Sequence, residues 1–214
     1  MSVFTSKLIS IVFHPIFMPI FTLFLLFSSS GIINQYYSGT MSASGVDQRS
    51  RVYLVFFITT VLMPSVSFYI LKRNRMVSSF SMPHRQERFF PYFTTLVYYI
   101  ILYYLLRTNN FPAVFKSATL GTIAVLILVM LINLRIKISS HAAGIAGVVA
   151  IYAVLIKQAW VLDGVNVLAG IIILAGLIST ARLSLNAHKN NEVYLGLLVG
   201  FTTEFICMNF KLIL

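Results

Sequence analysis

Acidic side chains are nearly absent from this sequence. Five Asp and Glu residues stand against 16 Lys and Arg in 214 residues, for a formal net charge of +11. So few carboxylates do not make the oxygen cage that Mg²⁺ or Ca²⁺ needs, and neither a metal nor another cofactor is expected. Cysteine is reduced to Cys207, which excludes an intrachain disulfide and a thiolate metal cluster. Charge of both signs is scarce, at 10%, where a soluble domain carries about 25%. The basic residues are dispersed between hydrophobic runs. That pattern argues against nucleic acid and for the membrane bilayer's anionic headgroups, or a phosphate substrate, as partners. What fills the chain is apolar, 58% of it. An integral, multi-pass membrane protein is expected.

At about 20 residues per span, 214 residues make one all-α domain over 1–214, a polytopic transmembrane helical bundle of six to seven spans. Apolar runs place the spans at 7–27, 51–71, 91–106, 114–134, 141–156, 165–183 and 188–210. The first run, apolar from 8 to 27, is too long for the core of a signal peptide. Pro15, Pro19 and Pro64 fall inside spans and should kink them unless neighbours satisfy the freed carbonyls. Gly196 and Gly200 form a G-x-x-x-G, a spacing that permits close helix packing. With seven spans, the segments 72–90, 135–140 and 182–192 share one face with the N-terminus. The segments with the candidate polar residues lie there, so they can converge.

His188 and Glu192 are four residues apart, about 40° from each other if both sit on one helix. A carboxylate in that place accepts a ring N–H, fixes the tautomer and leaves the other nitrogen as nucleophile or base. Arg182 would point about 120° away from His188 on a continuous helix. The two share a site only if the chain breaks between them, and Asn186 is the expected place. His141 follows Ser139 and Ser140 at the start of the fifth span. Helix N-termini attract anions, and the same serines equally serve as helix caps. Ala142, Ala143, Gly144, Ala146 and Gly147 leave room there for another backbone or a ligand. Arg85 and Arg88, three apart, can turn two guanidinium forks on one phosphate, or can anchor the loop at the headgroups like the basic cluster at 72–75. His14, beside Pro15, is read as hydrogen-bonded within the bundle. Glu204, inside the seventh span, either marks a function or pairs with a base from a loop.

The order of these segments resembles the type-2 phosphatidic acid phosphatase superfamily, membrane enzymes that share their site with vanadium haloperoxidases. That family's third motif is Ser-Arg, five residues, His, three residues, Asp. Here it reads Ala181-Arg182, five residues, His188, three residues, Glu192, followed by Val193 and Gly196 as in the family's acid-Val-x-x-Gly. The second motif, Pro-Ser-Gly-His, reads Ile138-Ser139-Ser140-His141. The first, Lys, six residues, Arg-Pro, is the poorest: Arg88 matches its arginine, Phe89 replaces the proline, and Ser81 stands where lysine is expected.

The resemblance implies a role for each of these residues. His188 attacks phosphorus and carries the phosphoryl group, with Glu192 orienting it. His141 protonates the leaving alkoxide and then activates water. Arg182, Ser139, Ser140, Arg88 and Arg85 hold the phosphoryl oxygens, and no metal is needed. The expected activity is hydrolysis of a lipid phosphate or diphosphate, such as phosphatidic acid, phosphatidylglycerophosphate, a polyprenyl diphosphate or a lipid A phosphate. The expected place is the bacterial plasma membrane. The alternative is a catalytically degenerate relative that binds or transports phospholipid. Ten of the 16 Lys and Arg residues lie on the motif face, but without the proposed ligands Arg85, Arg88 and Arg182 the balance is seven to six. The positive-inside rule therefore does not orient the chain.

Overall fold

Proline decides the shape of the first two spans. The computed structural model describes residues 1–37, 47–79, 82, 84–162 and 164–211. Helix α1 (Val3–Val12) stops before His14-Pro15. The chain makes one 3-10 turn, Pro15–Phe17, and resumes as α2 (Met18–Ser28). After the short α3 (Ile32–Tyr37), the second span is α4 (Gln48–Phe56), a π-helical stretch Phe57–Leu62, and α5 (Met63–Arg73). Pro64 brings no N–H to the ladder, and the π register absorbs the gap. The Thr59 and Thr60 hydroxyls donate to Val55 O (2.7 Å) and Phe56 O (2.8 Å), which satisfies backbone that water cannot reach. The expected kinks are therefore a helix break and a π stretch.

The other spans are single helices: α6 (Phe89–Thr108), α7 (Ala113–Asn133), α8 (Ser140–Lys157), α9 (Gly164–Ser184) and α10 (Asn190–Lys211). All ten helices among the described residues belong to an all-α bundle in which seven segments are long and apolar enough to cross a membrane. Several boundaries differ from expectation, the first two spans starting earlier, at Val3 and Gln48. A 3-10 turn, Arg85–Arg88, leads into α6. Helix α10 begins at Asn190, which leaves His188 in the preceding loop.

Helix α8 is the axis of the bundle. Two-thirds of its apolar window is buried (67%), against at most 39% for any other span. Small residues make this possible, and the room they leave is filled by backbone. A Cβ on Gly196 would stand 2.6 Å from Ser139 O, and one on Gly200 would overlap the Ala143 backbone. The G-x-x-x-G of α10 is thus the crossing point with α8. On the other side of α8, a Cβ on Gly144 would meet Met18 at 3.3 Å and Pro15 at 3.7 Å, so the break in the first span docks there. A backbone bond from Ser139 N to Glu192 O (3.1 Å) ties the starts of α8 and α10 together. At the opposite end of α8, Tyr152 OH bonds Ser29 Oγ and donates to Leu25 O at 3.1 Å.

Candidate functional site

Helix α9 ends in a way that turns the chain back on itself. Asn186 adopts φ 51°, the left-handed conformation that asparagine tolerates better than most residues. Asn186 N donates to Leu183 O (2.9 Å) and Ala187 N to Arg182 O (3.1 Å), a Schellman closure. The break expected at Asn186 is present, and it sets Arg182 in the last turn of α9 with His188 just beyond the reversal.

His188 and Glu192 meet, though not as neighbours on one helix face. Glu192 is the third residue of α10, and its Oε2 accepts from Lys189 N at 3.1 Å, the reach-back half of a capping box. The same oxygen lies 3.0 Å from His188 Nδ1. Lys137 O, from the loop before α8, is also 3.0 Å from Nδ1. A carboxylate and a carbonyl only accept, so Nδ1 carries the hydrogen and Nε2 keeps the lone pair. Among the described residues Nε2 has no hydrogen-bond partner. Burial pushes the His188 imidazole down to about 4 from its ordinary 6.5, helped by the charges of Arg88 and Arg182 and opposed by the bonds to Glu192 and Lys137 O. At neutral pH the ring is therefore uncharged, with an unprotonated Nε2.

The cations gather around it. Arg88 is only 4% exposed, and it donates through Nε to Met82 O (3.2 Å) and through Nη1 to Ile138 O (3.4 Å). Arg182 is half-buried, and its Nε is out of solvent with no partner. Its charge acts on His14, His141, His188 and Lys137 alike, which places it among them. Burial, then Arg88, lowers the Lys137 ammonium, and Glu192 pulls the other way. Among the described residues no carboxylate forms an ion pair with either guanidinium: Glu192 is engaged with His188, and Glu87, next to Arg88 in the chain, accepts from Ser78. An open cleft of about 370 Å³ lies against the group, walled by Lys137, Asn186, Ala187, His188, Lys189 and Glu192.

The other expected residues divide. His141 is buried at the start of α8, with Nε2 3.0 Å from Ser10 O of α1. Ser139 is fully buried, and its Oγ caps α8 by accepting from Ala142 N (3.4 Å). Ser140 Oγ accepts from Tyr92 OH at 3.4 Å. Arg85 departs from expectation. It is exposed, and its Nη1 donates to Arg135 O beyond the end of α7 instead of turning inward with Arg88. Carbonyls past a helix C-terminus lack backbone donors, and Asn133 Nδ2 holds Arg85 O to the same helix end at 2.8 Å. Ser81, at the first motif's lysine position, lies outside the described residues. Among the described residues Glu204 has no loop base beside it; its hydrogen bond comes from Thr122 Oγ1 at 3.4 Å.

Three contributors were not singled out from the sequence. Lys137 acts through its carbonyl and its charge, Tyr92 through Ser140 and Arg182, and Ser10 through its backbone. Only Lys137 left a trace, a basic residue two positions before Ser139. Backbone acceptors have no residue signature. Comparison with protein-family models, with curated proteins and with solved structures finds no match to this chain.

Proposed function

We propose that this protein is a membrane phosphatase that removes phosphate from a lipid phosphate or diphosphate through a phosphohistidine on His188. One observation carries the reading. Two guanidiniums without a carboxylate partner, Arg88 and Arg182, stand beside a neutral histidine whose Nδ1 is anchored and whose Nε2 is unbonded. Cations withdrawn from water without a counter-ion are costly, and a phosphoryl dianion is the ligand that offsets two of them. In this reading Nε2 forms a bond to phosphorus as the P–O bond to the lipid alcohol breaks. His141 Nδ1 takes the proton of the bound phosphate monoanion and passes it to the leaving oxygen, while the Nε2 hydrogen stays on Ser10 O. Water then attacks phosphorus and gives a proton to His141 Nδ1, the P–N bond breaks with its electrons returning to His188 Nε2, and inorganic phosphate leaves with that proton. Arg88 and Arg182 stabilise the charge on the equatorial oxygens, where a single donor commonly contributes 10²–10³ in rate. The chain's own residues supply every group this route requires.

The test is phosphate release from a panel of lipid phosphates and diphosphates by the purified protein in lipid. Release should be vanadate-sensitive and vanish in His188→Ala. Robust turnover by that variant would sink the mechanism. A second reading, a phospholipid binder or carrier without turnover, draws on Ser139, whose hydroxyl is buried as a helix cap, and on the bond between His141 and Ser10. Phospholipid binding with no phosphate release from any member of the panel would favour it.

A further inference from the structure

The break in the first span is aimed at His141. Pro15 has no N–H, and His14 N turns to Ile11 O (3.3 Å) instead of Ser10 O. Ser10 O, inside a membrane-spanning helix, thereby loses its helical donor. His141 Nε2 takes that place at 3.0 Å from across the bundle. The carbonyl can only accept, so the hydrogen sits on Nε2 and Nδ1 is left to exchange protons. Two further contacts hold the arrangement. His14 Nδ1 accepts from Ile16 N at 3.3 Å, which stabilises the turn after the break, and the His14 ring meets the His141 ring edge-on, 5.1 Å between centroids. One turn along α8 from His141, Gly144 leaves the gap in which Pro15 and Met18 sit.

His188 and His141 are thus fixed in opposite tautomers. Lys137 O and Glu192 hold His188 by Nδ1, while Ser10 O holds His141 by Nε2.

We propose that the His14-Pro15 break is a positioning element: it frees the Ser10 carbonyl to lock His141 as its Nε2–H tautomer, and so makes Nδ1 the atom that takes up the proton of the bound phosphate monoanion and passes it to the leaving group. The catalytic half of this inference rests on the phosphatase reading; the tautomer half does not. Alanine at 15 restores a helical N–H and lets His14 N return to Ser10 O, which releases His141.

The experiment uses the full chain in nanodiscs with ¹⁵N-histidine. Its four histidines are assigned by single glutamine variants. Ring-nitrogen spectra should show His141 as a single Nε2–H tautomer in the wild type and a mixture in Pro15→Ala. Gly144→Ala, which crowds Met18 and rests against Pro15 without restoring an N–H at 15, should shift it the same way by less, and it serves if Pro15→Ala does not fold. In turnover, Pro15→Ala should lower kcat about tenfold on alkyl phosphates, part of the 10²–10⁴ that general acid catalysis supplies. KM should hold, and an aryl phosphate whose leaving group needs no proton should be nearly unaffected. A mixed His141 tautomer in the wild type, or one unchanged in both variants, overturns the positioning element. An active wild type whose Pro15→Ala variant loses equally on alkyl and aryl substrates overturns its catalytic role and leaves the phosphatase standing. A wild type with the locked tautomer and no phosphatase activity overturns the phosphatase reading and that catalytic role, and leaves the lock.

Discussion

Two glutamates ride one i+4 row of α10 and live in different chemistries. Glu192, Gly196, Gly200 and Glu204 follow one another along it, so the carboxyls are about 18 Å apart along the axis. Glu192, at the aqueous end, accepts from a histidine and a backbone N–H and borders an open cleft. Glu204, in the middle, is 1% exposed; it takes one bond of 3.4 Å from Thr122, and its Oε1 has no partner. Glycine makes its space. A Cβ on Gly121 of α7 would overlap the carboxyl, and one on Gly147 of α8 would stand 3.9 Å from Oε2. The same side chain on the same helix orients a histidine ring where cations converge, and is a packed polar group where they do not. What separates the two is the neighbouring helices, not the residue.

The largest break in this comparison comes from the hinge between its halves. Gly200→Leu drives a side chain into the Ala143 backbone, which cannot yield as a flexible side chain would. The expected loss is at least about 3 kcal/mol, more than ordinary overpacking, with both regions failing together. Thermal unfolding in lipid and phosphate release should collapse in parallel. The next effect belongs to Glu192 alone. Glu192→Ala removes one of two acceptors at His188 Nδ1 and one half of a capping box. Lys137 O still holds the tautomer, so turnover should fall about 10- to 100-fold, short of the roughly 10⁴ seen when a triad histidine loses its correct tautomer. Stability should fall about 1 kcal/mol from the lost cap. A loss equal to that of His188→Ala would mean that Lys137 O does not orient the ring.

The acid limb of the pH profile comes third. The folded chain protonates His188 near 4 and the unfolded chain near 6.5. The neutral ring, the form that the proposed attack needs, is therefore present throughout the neutral range and is lost only as pH falls through about 4. Corrected for titration of the substrate, kcat/KM should change less than about twofold between pH 7 and 5, halve near pH 4, and fall about tenfold per unit only below that. Folding linkage has the matching sign: this site's contribution is intact above 6.5 and drains away as pH drops toward 4, because the unfolded state binds the proton first. An acid limb centred near 6.5 would place His188 in water.

Periodicity and residue type made much of this legible before any coordinates. Seven apolar runs became seven spans, the G-x-x-x-G became a crossing, and Asn186 became the reversal between Arg182 and His188. These follow from length, from the absence of a Cβ and from the tolerance of asparagine for positive φ, all local properties. The failures are not local. Arg85 and Arg88 share a residue type and a turn, yet a carbonyl at the end of α7 draws one outward while the other is buried. Ser10 and Lys137 enter through backbone oxygens that every residue has. The small residues after His141 allowed a backbone or a ligand, and only the packing of α10 and the first span decided for backbone.

The smallest effect is the sharpest test of the contrast. Among the described residues no cation or histidine pairs with Glu204, so its carboxyl has no ring to orient. Glu204→Gln keeps the shape and should leave turnover within about twofold and stability within about 1 kcal/mol, the scale of a single net hydrogen bond. Glu204→Met goes further, replacing a buried polar group that is half unsatisfied with an apolar one of similar length. Such exchanges are often neutral or stabilising, so the melting temperature should hold or rise while phosphate release persists. A turnover loss beyond tenfold in Glu204→Gln, with an unchanged melting temperature, would erase the distinction between the two glutamates and bring the middle of α10 into the chemistry.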